Sequence, residues 1–562
     1  MPDEMTEIVM AQTPPILHGP SEKERKYDRQ LRLWAASGQA ALESANLLLV
    51  NSGSGVVGVE TLKNLVLPGI GRFTIYDEKL VDEADLGVNF FLDQGSLGKP
   101  RSRCLTEMLL ELNPEVEGDW YPKQEVQWSR QTPELDGSRA YTPMLQDTSL
   151  ESLLESSPVF TSVLYTHPVR SEYIPLFEAY SRLHKTPLVA IHSAGFYSSF
   201  QLTLPGAFAI VDTHPDETAT TDLRVLSPWP ELVEFARAMT RDIDKLDDHE
   251  HGHLPYLVLL LHFLDQWRDS HGNQYPSTYK EKTEFRNLVQ SGARTDNAEG
   301  GEENFDEAAA AVLKALVPPS LPSGLREVFE YEPKDLAEKS SGFWIIASAI
   351  KNYYAENGSL PLPGSLPDMK AKSGVYIQLQ NIYKKKARED VTDILRRVQA
   401  TPGGEHVDSA EVELFCKNAA HVKLINATNG DAGANFTKVD RLKRVVDQEL
   451  ANDEFAEESL MPLSLVPIYL VLQATAHVVS ASAQEIVAEV AKIVPHAEQN
   501  ERIVKAAQEV ARAEGGELHN IAALTGGMVA QEMIKIITKQ YIPIDNTCIF
   551  DGISSRCQVL RL

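Results

Sequence analysis

Between residues 45 and 204 short, solid apolar runs alternate with longer stretches of helical period. "ANLLLVN", "RFTIYD", "PVFTSVLYT" and "TPLVAIHSAG" are bounded by polar or turn-forming residues and carry few polar positions inside. Runs of that length and content predict strands buried on both faces. Between them, "GVVGVETLKNLVLPG" predicts a helix that starts at a glycine, and "KPRSRCLTEMLLELNPEV" an amphipathic one. Strands joined by helical crossovers predict an α/β fold with a Rossmann-like, doubly wound and mostly parallel sheet.

The period changes at about Pro205. Long helical patterns follow, among them "LPYLVLLLHFLDQWRDSH", "SGFWIIASAIKNYYAEN" and "GVYIQLQNIYKKKAREDVTDILRRVQA". Acidic or proline-rich connectors such as "GARTDNAEGGEENFDE" separate them. "HNIAALTGGMVAQEMIKIITKQYIPIDNTCIFDG" then returns to the first style, with a small-residue helix followed by a strand. The simplest organisation is one α/β domain split in sequence, with 23–204 as its first part and 500–562 as its second. A large, mainly α-helical insertion fills 205–499, and residues 1–22 read as a disordered tail.

Composition narrows the function more than the fold. Acids outnumber bases, 80 to 53, for a formal charge of -27, so the field of the chain repels phosphate backbones and anionic membranes. Neither nucleic acid nor a membrane is expected as a partner. The four cysteines, Cys104, Cys416, Cys548 and Cys557, form no C-x-x-C pair. They suit a reducing compartment, cytoplasmic and nuclear, better than a disulfide framework or a zinc site. The N-terminal stretch has acids at its front and no long apolar core, so it does not read as a secretory signal.

The candidate chemistry starts at Gly53, Gly55 and Gly58, in G-x-G-x-x-G spacing after the first strand. Such a loop turns tightly and offers helix N–H groups to a phosphate. Asp77 ends the second strand, where a ribose-binding acid would stand. The spacing alone leaves two readings open: a working nucleotide site, or a turn the fold needs.

"KYDRQLRLW" (26–34), "LPGIGRFTIYD" (67–77), "NFFL" (89–92) and "AQEMIKIITKQ" (530–540) together resemble the family of activating enzymes for ubiquitin-like modifiers. "TYKEKTEFRNLV", "SGFWIIASAIK" and "LPDMKAKSGVYIQLQNIYKKKA" carry the resemblance through the helical region. It is to the regulatory, non-adenylating half of the heterodimer that serves neddylation. The resemblance implies a pseudoenzyme whose catalytic partner subunit holds ATP and magnesium, and a bound ubiquitin-like modifier, with a conjugating enzyme as a transient partner. This chain itself is expected to bind no cofactor and no metal. Its adenylating relatives match D-x-D followed by S-N-L-N-R-Q-F, with a lysine in the next helix. Here Asp77 matches the first aspartate, Lys79 stands at the second, and Asp85, Gly87 and Val88 replace Asn, Asn and Arg. Asn89 replaces the Gln, Arg101 takes roughly the place of the lysine, and 158–170 holds no acid for magnesium. A triphosphate needs cations to offset its charge. Gly53, Gly55, Gly58 and Asp77 therefore read as a degenerate, structural pocket.

The resemblance also implies that Arg29 acts in trans on the phosphates in the partner's ATP site, a task suited to a permanent planar cation. Arg32 lies on the same helix face and could share that role; a surface pair of Arg29 with Asp28 or Glu24 is the plain alternative. Cys416 reads as the apolar face of a helix, not as the thioester cysteine of catalytic chains. "DDHEHGHLPY" (His249, His251, His253) reads as a loop rather than a metal site, and His519 and Asn520 as a helix start. "YKKKARED" (383–390) is either a solvated face or a dock for an acidic partner. Two rival functions remain: a self-sufficient nucleotide enzyme using the glycine loop, and a pure protein-interaction scaffold.

Overall fold

A computed structural model describes residues 20–123, 149–216, 222–295, 301–318, 320–333, 336–425, 438–458 and 461–562. The chain folds as two compact units, one of Met1–Phe208 with Ile425–Leu562, the other of Ala209–Leu424. In chain order the strands are β1 (Asn46–Val50), β2 (Arg72–Tyr76), β3 (Glu117–Tyr121), β4 (Ser162–Thr166), β5 (Leu188–Ala194), β6 (Tyr197–Thr203), β7 (Phe208–Val211), β8 (Val422–Ile425), β9 (Thr547–Asp551) and β10 (Arg556–Leu560).

The first unit is built on an eight-stranded sheet in the order β10-β9-β6-β5-β4-β1-β2-β3. From β5 to β3 all neighbours are parallel; β6, β9 and β10 add antiparallel to the β5 edge. The α/β class and the split domain are as the periodicity predicts, since β9 and β10 come from the last residues and join the first part through β6. Strands β3, β6 and β10 go beyond the apolar runs read above. β1 is buried along its whole length, as a strand covered on both faces must be. Leu47, Leu48 and Leu49 are fully buried, each contributing about 1.5–3 kcal/mol relative to exposure. Helices Val56–Val66, Arg101–Leu112 and His519–Thr538 pack against one another or the sheet on the face of Leu47 and Leu49. Leu48, Val50 and Val163 face the other way, into a core with Leu153, Phe177 and Tyr180.

Two boundaries shift. The insertion expected over 205–499 closes at Leu424, and the helices between Lys438 and Ala513 belong with the α/β unit. The reason is helix Val466–Ala474: residues Val466 to Leu472 are buried all round, packed with Tyr197 and Ile549 of the sheet. The tail expected over 1–22 also ends earlier: Ser21 caps helix Glu22–Lys26, its hydroxyl accepting from Glu24 N–H while the Glu24 carboxylate accepts from Ser21 N–H. Residues 1–19 of that tail lie outside the described residues. Helix His519–Thr538 is long and apolar enough to cross a membrane by composition, but most of it is buried within the unit.

The second unit is helical, as predicted, with helices Tyr256–Ser270, Gly342–Asn357 and Ser373–Gln399 where the long patterns fall. Its core gathers Leu257, Leu260, Phe285, Phe305 and Tyr383. β7 and β8 pair as a separate two-stranded sheet, so the unit begins and ends at one place.

Three histidines of the first unit meet behind β4 and β5. The His167 ring centre lies 5.2 Å from that of His192 and 6.2 Å from that of His477. His167 Nδ1 is 2.8 Å from the Ala476 carbonyl and His477 Nδ1 2.9 Å from the Val169 carbonyl. Burial pushes His167 down to about 4 and His192 well below its ordinary value. The unfolded chain takes up the protons of His167 and His192 near pH 6.5; folded His167 takes one only near 4, and folded His192 only well below its ordinary range. Stability from burying His167 and His192 uncharged is therefore complete above about pH 6.5 and is lost as pH falls below it. Urea unfolding at stepped pH should show that decline, and His192→Phe should flatten it; an unchanged pH dependence in the variant would refute the assignment.

Candidate functional site

The glycine loop has the predicted geometry. Gly53 and Gly55 have φ of 61° and 67°, a region glycine enters without strain, and Gly55 is the N-cap of helix Val56–Val66. Gly58 is needed for closeness: a Cβ there would stand 2.7 Å from Asn51 Oδ1 and 2.9 Å from Thr166 Cγ2. Asp77 follows β2 and is buried beside the loop.

What fills the space between them is protein. Arg101 opens helix Arg101–Leu112 and is completely buried. Its Nε donates to Asp77 Oδ2 at 2.7 Å and one terminal nitrogen to Asp77 Oδ1 at 3.2 Å. The other terminal nitrogen donates to Asp85 Oδ1 at 3.0 Å and to the Gly53 and Ser54 carbonyls at 3.0 and 3.1 Å. Asn51 Nδ2 donates to Asp77 Oδ2 at 2.9 Å. Asp77, aligned with a ribose ligand, is thus taken up by an internal fork. Asp85, standing where a neutral amide would be, is the second acceptor of that fork and also receives Lys79 Nζ at 3.3 Å. Asn89 is buried and its Oδ1 accepts from Phe91 N–H.

The N-terminus of helix Val56–Val66, where a phosphate would sit, is also occupied. Glu517, buried just before helix His519–Thr538, accepts from Val56 N–H at 3.1 Å and Val57 N–H at 2.8 Å. Burial pushes its carboxyl up to about 7, against the pull of those two N–H groups and of Arg101. No motif or spacing in the sequence points to Glu517. It is one acid after a glycine pair, and no periodicity links residue 517 to residue 56.

The other candidates separate cleanly. Arg29 is exposed on helix Asp28–Glu43 and has no hydrogen-bond or ion-pair partner among the described residues. The expected surface pair forms instead at Arg32, whose guanidinium reaches Asp28 at 3.0 and 3.2 Å. Cys416 is buried and its thiol pushed up to about 12 by burial and the nearby carboxylates of Asp390 and Glu413. A thiol so shifted is a poor nucleophile at neutral pH. His251 turns inward to Glu302, 2.7 Å away, while His249 and His253 stack on each other. Among the described residues no three His, Cys, Asp or Glu groups converge to hold a metal ion. His519, at the start of its helix, reaches Glu60 at 3.2 Å. Of the 383–390 cluster, Lys385 pairs with Glu231 and Lys386 with Asp390, and Tyr383 is buried, its hydroxyl donating to the Leu223 carbonyl. The solvated-face reading therefore holds for most of it.

Residues 27–137 match the model of the ThiF family. Along nearly its whole length the chain is similar to proteins named NEDD8-activating enzyme E1 regulatory subunit. It is 33% identical to that of Xenopus laevis, the match covering 96% of this chain and 99% of the relative. It is 34% identical to that of Drosophila melanogaster, over 96% and 98%. It is 31% identical to the regulatory subunit AXL of Arabidopsis thaliana, over 96% and 100%.

Proposed function

Because the chain belongs to the family of NEDD8-activating enzyme E1 regulatory subunits, we propose that it is the non-adenylating half of a heterodimer and acts on ATP only through a catalytic subunit. The observation that carries the second part is the filled cradle. Arg101 and Glu517 hold the positions in which a nucleotide would need open space, free N–H groups and a cation. ATP and magnesium are assigned to the partner, and with them adenylation of the modifier and thioester formation before hand-over to a conjugating enzyme. Arg29, unpaired on its helix, is assigned to the partner's ATP site, where a guanidinium offsets phosphate charge.

The partner needs an apolar surface to close on, and the outer face of helix His519–Thr538 supplies one. Leu524 is half exposed and, with Gly527, Met528, Phe200, Ile544 and Cys548, lines an open cleft of about 490 Å³. We assign this cleft to the catalytic subunit. A carboxylate at its centre would have to be desolvated on assembly. Leu524→Glu should therefore weaken subunit association without lowering the melting temperature of the free chain. Size-exclusion chromatography with titrated partner checks it, and unchanged association would move the interface elsewhere.

The test of the whole reading is modifier-dependent ATP–pyrophosphate exchange, run with the chain alone and then with a catalytic subunit. Exchange only in the mixture is expected. Exchange by the chain alone would make Gly53, Gly55, Gly58 and Asp77 a working site and overturn the reading.

A further inference from the structure

A glycine loop that feeds a helix N-terminus presents N–H groups and a positive dipole to an anion. In this chain a buried carboxylate lies on those N–H groups, 2.8 Å from Val57 N and 3.1 Å from Val56 N. It arrives from a segment 460 residues downstream. The segment is tied down on both sides of Glu517. Ser54 Oγ donates to the Gly515 carbonyl at 3.2 Å, and Gly195 forms a bridge with Glu517. His519 meets Glu60, and Gly526 lies so close to helix Val56–Val66 that a Cβ would stand 2.8 Å from Thr61 N. Arg101 stands behind the same loop, bonded to its Gly53 and Ser54 carbonyls. A carboxylate and a guanidinium thus sit where a phosphate and its counter-cation would sit in an open cradle.

We propose that the loop is an anion site filled from within: Glu517 is its permanent ligand, and the bond it makes registers helix His519–Thr538 on helix Val56–Val66. The occupant is a single carboxylate, so the site vacated by removing it takes a small oxyanion: formate, acetate or inorganic phosphate. The consequence for partner docking through that helix rests on the function proposed above; the filled site itself does not.

The test uses the full chain without partner. Thermal unfolding of the wild-type chain should be indifferent to millimolar inorganic phosphate, formate or ATP relative to chloride at matched ionic strength. Glu517→Ala should melt several degrees lower and regain much of the loss, saturably, with formate or phosphate but not with chloride. Glu517→Gln keeps the shape and one acceptor, so it should fold even where Glu517→Ala does not. Val56 and Val57 bond different oxygens of Glu517, so in that variant at least one of the two amides, the one left facing the Gln NH2 group, should exchange with solvent deuterium at least several-fold faster than in wild type. Three results would each overturn the proposal: an anion-specific shift in the wild-type chain, wild-type melting of both variants, or wild-type exchange at both Val56 and Val57 in Glu517→Gln. Because no arm involves a partner or modifier, such a failure leaves the pyrophosphate-exchange result standing, and the reverse also holds.

Discussion

Arg29→Ala should lower ATP–pyrophosphate exchange by the assembled pair on the order of 10³-fold, the scale on which an arginine supplied in trans acts in phosphoryl chemistry. The segment that carries Arg29 is fixed at both ends. Tyr27 is buried, its hydroxyl donating to Glu115 at 3.2 Å and accepting from Asn113 Nδ2 at 3.1 Å. At the other end the helix breaks at Trp34 and Ala35, where Ala35 has φ of 55°. Gln540 Nε2 donates to the carbonyl of Trp34 at 3.1 Å, and Tyr541 OH to that of Leu33 at 3.4 Å. A charge presented from so firm a support loses little freedom when it meets phosphate. Arg32, already bound to Asp28, should matter far less, and Arg29→Lys should recover only part of the rate, since a point charge lacks the fork. Subunit association should be unaffected by Arg29→Ala. An unchanged exchange rate in that variant would favour the scaffold reading and remove the trans role.

The second large effect concerns stability. Arg101→Met should cost about 3–5 kcal/mol, because it strands buried Asp77 without its counter-charge and leaves buried Asp85 only Lys79 at 3.3 Å. Asp77 and Asp85 are each 2% exposed, so water cannot replace the guanidinium. The Gly53 and Ser54 carbonyls lose donors as well. Combining Arg101→Met with Asp77→Asn and Asp85→Asn should return much of that loss, as neutralising all members of a buried ion network often does. Urea unfolding of the free chain measures both. A loss of about 1 kcal/mol or less, the value of an exposed pair, would show that the network is looser than the distances imply.

Much of this site could be read from the residues, but not its sense. Asp77, Asp85 and Arg101 each stand out by their place in, or departure from, an adenylating pattern, and all three lie together. What the pattern could not show is direction: Arg101 turns inward to the loop instead of outward to a ligand, a matter of which carboxylates lie within reach. Glu517 was invisible, because its partners are fixed by the packing of two helices and not by local period. The fold behaved likewise. β1, β2, β4 and β5 are legible as apolar runs. "YSSFQLT" is not, since its serines are buried by neighbours that only the closed sheet brings. Helical period alone puts helix Val466–Ala474 in the insertion. Its apolar surface says that it is buried, and only the tertiary structure says against what.

The split sheet also sets a timetable. β6 is complete at Thr203, but its outer neighbour β9 begins at Thr547. At roughly 5–20 residues per second of synthesis, β6 leaves the ribosome tens of seconds before the strand that covers its edge. For that interval the nascent chain carries an unpaired edge strand, the kind of surface on which chains join to one another. A chain that stops short of Thr547 never leaves that state, so a late stop codon should yield not a slightly shortened subunit but an aggregating one.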